Sequence, residues 1–126
     1  TKAQIECSEC HVYYSKGARS GLPDSETCMT CHSEAVTKSP EEARLRESYQ
    51  QGRPIVFRKL FHLPEHVYYS HRRHVVLGKL QCVRCHGKIA DTDAPPSRPL
   101  VNISMDFCTD CHKREKVTND CKSCHR

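Results

Sequence analysis

"CVRCHG", Cys82 to Gly87, decides how this chain is read. Two cysteines with two residues between them are followed at once by a histidine. Taken alone, the spacing suits half of a zinc site, a redox dithiol, or a point where a cofactor is stapled to the chain. The rest of the sequence narrows the choice. The same word recurs as CSECH (Cys7, Cys10, His11), CMTCH (Cys28, Cys31, His32), CTDCH (Cys108, Cys111, His112) and CKSCH (Cys121, Cys124, His125). All ten cysteines fall within these five words.

Cys10 and Cys28, with 17 residues between them, match the spacing of a zinc ribbon. Five pairs, however, leave one over when grouped into four-cysteine sites. Neither zinc nor disulfides give a reason for the histidine after every pair. With 9 histidines in 126 residues, chance would place one after all five pairs on the order of once in a million. C-x-x-C-H is the attachment word for c-type haem. On a helical turn, residues i and i+3 face one side, so two thiols form thioethers to the two vinyl-derived edges of a porphyrin. The next residue lies beneath the ring, where its imidazole binds iron. Cys7, Cys10, Cys28, Cys31, Cys82, Cys85, Cys108, Cys111, Cys121 and Cys124 are thus expected to hold five c-type haems, with His11, His32, His86, His112 and His125 as proximal ligands. No catalytic residue is assigned.

Four histidines remain, and all lie in "FHLPEHVYYSHRRHVV": His62, His66, His71 and His74. A lone histidine is ordinarily a surface or core residue, but low-spin, electron-transferring haem iron takes two strong axial ligands, and neutral imidazole is the commonest metal ligand. These four are expected on the distal side. His71 and His74 are three apart and cannot lie trans on one iron, so they serve two haems. The same reasoning separates His62 from His66, with Pro64 shaping the turn between them. Five haems need five distal ligands, which leaves a deficit of one. Met105, three residues before Cys108, is the candidate ligand for whichever haem is left short. Its alternative is a flexible apolar filler against a haem face. Met29, an open site or a ligand from a neighbouring chain are the other ways to close the ledger.

Composition agrees with a cofactor-held chain. Only 37% of residues are hydrophobic, there is no Trp, and the mean hydropathy is −0.71. Little apolar material is available for a side-chain core. The formal charge of +5 would suggest an anionic partner, but the basic residues are scattered and lack interleaved stacking aromatics, which excludes nucleic acid. Each haem brings two propionates, and the excess Lys and Arg is expected to neutralise them. No run of 18 apolar residues exists, so no transmembrane segment is expected, and no secretory signal is recognised in the sequence given. Covalent haem attachment is performed outside the cytoplasm, so a periplasmic or extracellular location is expected.

The predicted fold is one domain of mainly short α-helices and loops around a stack of five covalent haems, with little or no sheet. Residues 1–35 form a two-haem part, 36–61 a helical connector, and 62–126 the histidine cluster with three haems. A helix is expected over about 40–51, with Ser39 as N-cap, Pro40 at N1, Glu42 as capping-box partner and Gly52 as the stop. "RPIVFRKLF" (53–61) reads as extended, "PEHVYYSHRRHVVLG" (64–78) as a helix ending near Gly78, and "DTDAPPSRP" (91–99) as a loop. Each haem word is expected at the edge of a short helix.

"VYYSHRRHVVLGKLQCVRCHG" (67–87) resembles the first-haem region of class III multihaem cytochromes c. The resemblance implies that His71 caps the haem of Cys82, Cys85 and His86. It also implies that His74 caps a later haem, with that of His112 the candidate. From about Pro54 to Arg126, including "FHLPEHVYYSHRRH" and "MDFCTDCHKR", the chain is similar to the pentahaem cytochrome subunits of alternative complex III. It is also similar to the cytochrome subunits of quinone reductase complexes. That resemblance implies electron transfer between redox partner proteins, including subunits of a membrane quinone-linked complex; the departure is the absence of a membrane anchor. Two other readings stand beside it. One is self-assembly into an extracellular filament, with a haem borrowing a ligand across the interface. The other is a reductase of a small substrate at one open haem.

Overall fold

A computed structural model of the chain describes residues 4–92 and 94–125. Of the loop expected over 91–99, Asp93 lies outside the described residues. The described chain is short helices joined by irregular segments. In order they are α1 (Cys7–Cys10), a 3₁₀ turn (Val12–Ser15), α2 (Ser25–His32), α3 (Pro40–Gln50), a π-helix (Arg72–Leu77), α4 (Val83–His86), a 3₁₀ turn (Ile89–Asp91), α5 (Met105–Arg114) and α6 (Cys121–Cys124). No strand occurs among the described residues; pairing is confined to one antiparallel bridge, Val67 to His125.

Every C-x-x-C-H word is wound into a helical turn, and three of the five helices that carry one, α1, α2 and α5, are held by side-chain hydrogen bonds at their N-termini. Asp24 accepts from Thr27 N at 2.8 Å ahead of α2, and this bond is the main cause that holds its carboxyl below the usual range. Ser104 accepts from Phe107 N ahead of α5. Glu6 and Glu9 close a capping box on α1, and Asp120 stands at the N-cap of α6 in the extended conformation that a cap requires. α4 ends differently. Gly87 has φ +64° and ψ −162°, a region open essentially to glycine alone. A Cβ there would lie 3.1 Å from Leu100 Cβ and 3.2 Å from Val101 Cγ2. The final residue of "CVRCHG" is therefore structural: it turns the chain sharply away from His86 and lets Leu100 and Val101 close over the turn.

Two expectations are corrected. α3 begins as expected, with Ser39 capping and Pro40 at N1, but the capping box with Glu42 does not form. Ser39 Oγ accepts from Glu41 N. The Glu42 carboxylate reaches past the cap to Val36 N and Thr37 N, at 2.7 Å each, because the loop before Ser39 folds back and offers it free backbone donors. Residues 64–78 are not one helix. Val67 is drawn into the bridge with His125, Tyr68 N donates to Cys124 O at 2.8 Å, and winding starts only at His71. The winding is π, with Gly78 N donating to Arg73 O, five residues back.

The polypeptide has almost no interior of its own. Cys111 and Glu42 are the buried residues among those described. The exposed surface is 10248 Å², whereas a compact chain of 14.5 kDa would expose roughly 6,900 Å². Val56 (89% exposed) and Leu22, Val36 and Leu77 stand open among other large apolar side chains. The chain is a wrapping without a core, and its apolar residues wait for something else to cover them.

Candidate functional site

Histidine rings face one another in three places. His71 and His86 lie 6.3 Å apart between ring centres and within 10° of parallel. His74 and His112 lie 6.1 Å apart at 34°, and His66 and His125 lie 5.5 Å apart at 30°. Two imidazoles bound at about 2 Å to opposite sides of one metal ion hold their ring centres roughly 6 Å apart. In each pair one ring follows a cysteine pair and the other comes from residues 66–74. Among the described residues no three metal-binding side chains converge, so the arrangement suits a flat cofactor gripped from both faces and does not suit a bare ion such as zinc. The ten cysteines are unpaired.

Ring orientation is fixed by neighbours. Nδ1 of His11, His71 and His74 lies 2.8 Å from the carbonyls of Gly21, Ala18 and Ser70 respectively, and Nδ1 of His112 lies 2.6 Å from that of Thr118. A carbonyl only accepts, so each Nδ1 holds the proton and donates it, leaving the Nε2 lone pair for a metal. Tyr69 stacks on His74 at 4.6 Å and meets His71 edge-on at 4.9 Å; burial, more than the nearby sulfurs, pushes its hydroxyl up to about 12. Phe61 packs edge-on against His86 at 4.6 Å. Burial also holds His86 below its ordinary value, with His71 and His11 adding to the effect, and so keeps it in the neutral form that binds metal.

The remaining sequence candidates are placed otherwise. His32 Nδ1 lies 3.1 Å from the carboxylate of Glu42. His62 Nε2 is engaged by the Lys59 carbonyl at 2.9 Å. Met105 is the first residue of α5 and is 67% exposed. Among the described residues neither His11 nor His32 has a second imidazole stacked across from it. Tyr69, Phe61 and Glu42 were not singled out from sequence as site residues. The aromatic before S-H-R-R-H was visible as part of the resemblance; Glu42 carried no signal beyond its helix position.

Sulfurs of different words lie beside one another. The thiols of Cys28, Cys82, Cys85 and Cys108 are all raised, first by burial and then by neighbouring sulfurs: Cys10 for Cys28, Cys7 for Cys82, Cys111 and Cys108 for Cys85, and Cys124 and Cys111 for Cys108. Arg84, inside the third word, donates to Cys111 Sγ at 3.5 Å and to Glu115 at 2.9 Å, which ties α4 to α5.

Comparison with known proteins agrees. Residues 67–126 match the family of cytochrome c7 and related cytochromes c. The chain is 30% identical to the multihaem cytochrome c subunit of menaquinone reductase from Nitratidesulfovibrio vulgaris, over an alignment covering 97% of this chain and 68% of that protein. An alignment of that extent, joined to a recurring attachment word and to imidazoles opposed in pairs, places this chain in the multihaem cytochrome c family.

Proposed function

We propose that the chain holds five c-type haems and relays electrons between redox partner proteins in a quinone-linked respiratory chain, outside the cytoplasm. The observation that carries the reading is the set of three facing imidazole pairs. Each haem, when bound, supplies a one-electron iron couple; the protein supplies spacing, ligation and potential. Cysteines of each word anchor the porphyrin edge, and His11, His32, His86, His112 and His125 bind iron from one side. His71, His74 and His66 cap the haems of His86, His112 and His125. His62 is the histidine left for one of the two N-terminal haems, once it releases the Lys59 carbonyl. Met105, at the start of α5 and 67% exposed, remains the thioether candidate for the unfilled place.

The neighbouring sulfurs support a linear order: the Cys28/Cys31 haem, then Cys7/Cys10, Cys82/Cys85, Cys108/Cys111 and Cys121/Cys124. The quinone-linked setting rests on the relative, whose name assigns it to a menaquinone reductase. No helix among the described residues is long and apolar enough to cross a membrane. The test is the haem count by intact mass, followed by the ferric EPR spectrum. Five haems and low-spin iron at the three paired sites are expected. His71→Ala should convert one haem to a high-spin, CO-binding form. A variant that stays wholly low-spin would remove His71 as a ligand, and a mass short of five haems would sink the pentahaem reading.

A further inference from the structure

Five of the nine histidines donate from Nδ1. Four of them donate to neutral backbone carbonyls; His32 meets a carboxylate, Glu42 Oε1, at 3.1 Å. Glu42 is also the buried charged side chain of the described residues, 7% exposed. Its two oxygens are surrounded by donors. Oε1 receives Val36 N at 2.7 Å as well as His32, and Oε2 receives Thr37 N at 2.7 Å and the Thr37 hydroxyl. A carboxyl ringed by backbone N–H groups acts as an acceptor only, which is the ionised form. Its position in the first turn of α3, whose free N–H groups carry partial positive charge, favours the same form. A carboxylate accepting from a ligand imidazole raises the basicity of that ligand, and a charge-assisted bond of this kind is roughly twice as strong as a neutral one.

We propose that Glu42 is the positioning residue that lowers the reduction potential of the haem at Cys28, Cys31 and His32, by holding the His32 imidazole in an electron-rich state that favours ferric iron. This rests on the reading of His32 as a proximal ligand. The bland competitor is that Glu42 only staples residues 36–37 to α3.

The test is Glu42→Gln in the purified haem-loaded protein, with Thr37→Val as the comparison. Gln keeps the length and one acceptor oxygen but removes the charge. Thr37→Val loosens the staple and leaves the carboxylate on His32. Peptide mass first establishes that Cys28 and Cys31 carry haem; a bare peptide sinks the proposed function and this inference together. With haem present, one component of the redox titration of Glu42→Gln should become at least tenfold easier to reduce, ~59 mV for a one-electron couple. The g-values of one ferric EPR signal should move with it. Unchanged components in a fully loaded variant, or an equal shift in Thr37→Val, would overturn the assignment. Should Glu42→Gln fail to fold, the parent still decides. With ¹⁵N-labelled histidine in the reduced protein, the His32 Nδ1–H resonance is expected further downfield than those of His11 and His112; a position level with theirs overturns it.

Discussion

Gly87 and Tyr69 show what single residues contribute around the third haem word. Gly87→Ala forces a side chain into a backbone region closed to it and into Leu100 and Val101; the expected cost is on the order of 1–3 kcal/mol, read as a lower unfolding midpoint of the loaded protein. Tyr69 has a hydroxyl raised from 10.0 to about 12, chiefly by burial. The folded chain therefore holds that proton more tightly than the unfolded one. The stability it lends is full below pH 10 and is lost as pH rises from there through about 12. Tyr69→Phe has no proton to lose, so its unfolding midpoint should track the parent below pH 10 and exceed it increasingly above. The five C-x-x-C-H words were legible because their spacing is local. Glu42 was misread as a capping-box partner because its real partners, Val36, Thr37 and His32, are set by a loop that folds back, and no helix rule contains that loop.

At the scale of elements, the π-helix Arg72–Leu77 does what an α-helix was expected to do, by other means. His71 stands at its N-cap and His74 lies within it, and the two rings face different partners, His71 to His86 and His74 to His112. The separation of those two was readable from their spacing, and their partners from resemblance. The facing of His66 with His125 was not readable, because it depends on the Tyr68–Cys124 and Val67–His125 backbone contacts, which join residues more than fifty positions apart. The Arg84–Glu115 pair links α4 to α5 but lies in solvent, with side chains 40% and 48% exposed. Glu115→Ala is expected to change unfolding free energy by no more than about 1 kcal/mol, and a larger loss in a denaturant titration would show that the link fixes haem spacing.

For the whole molecule, the exposed surface of 10248 Å² says that folding without cofactor buries too little to offset chain entropy. The haem-free protein, made without the attachment machinery, is expected to be degraded by protease at rates near those of an unfolded chain, whereas the loaded protein resists; equal resistance would contradict this. That the fold is helix and loop was legible from composition and repeats, since a hydrophilic chain with five C-x-x-C-H words has little else to build on. Which words lie side by side was not legible, because the neighbours run out of sequence order, with Cys10 beside Cys28 and Cys7 beside Cys82. One feature bears on how such a molecule is made. His66, His71 and His74 all precede the words whose histidines they face. On the proposed ligation, in a chain synthesised from its N-terminus, each of these three imidazoles is already available when its iron arrives. A newly stapled porphyrin is thus met at once by the residue across from it, and the interval in which a stray ligand or oxygen could occupy that face is short.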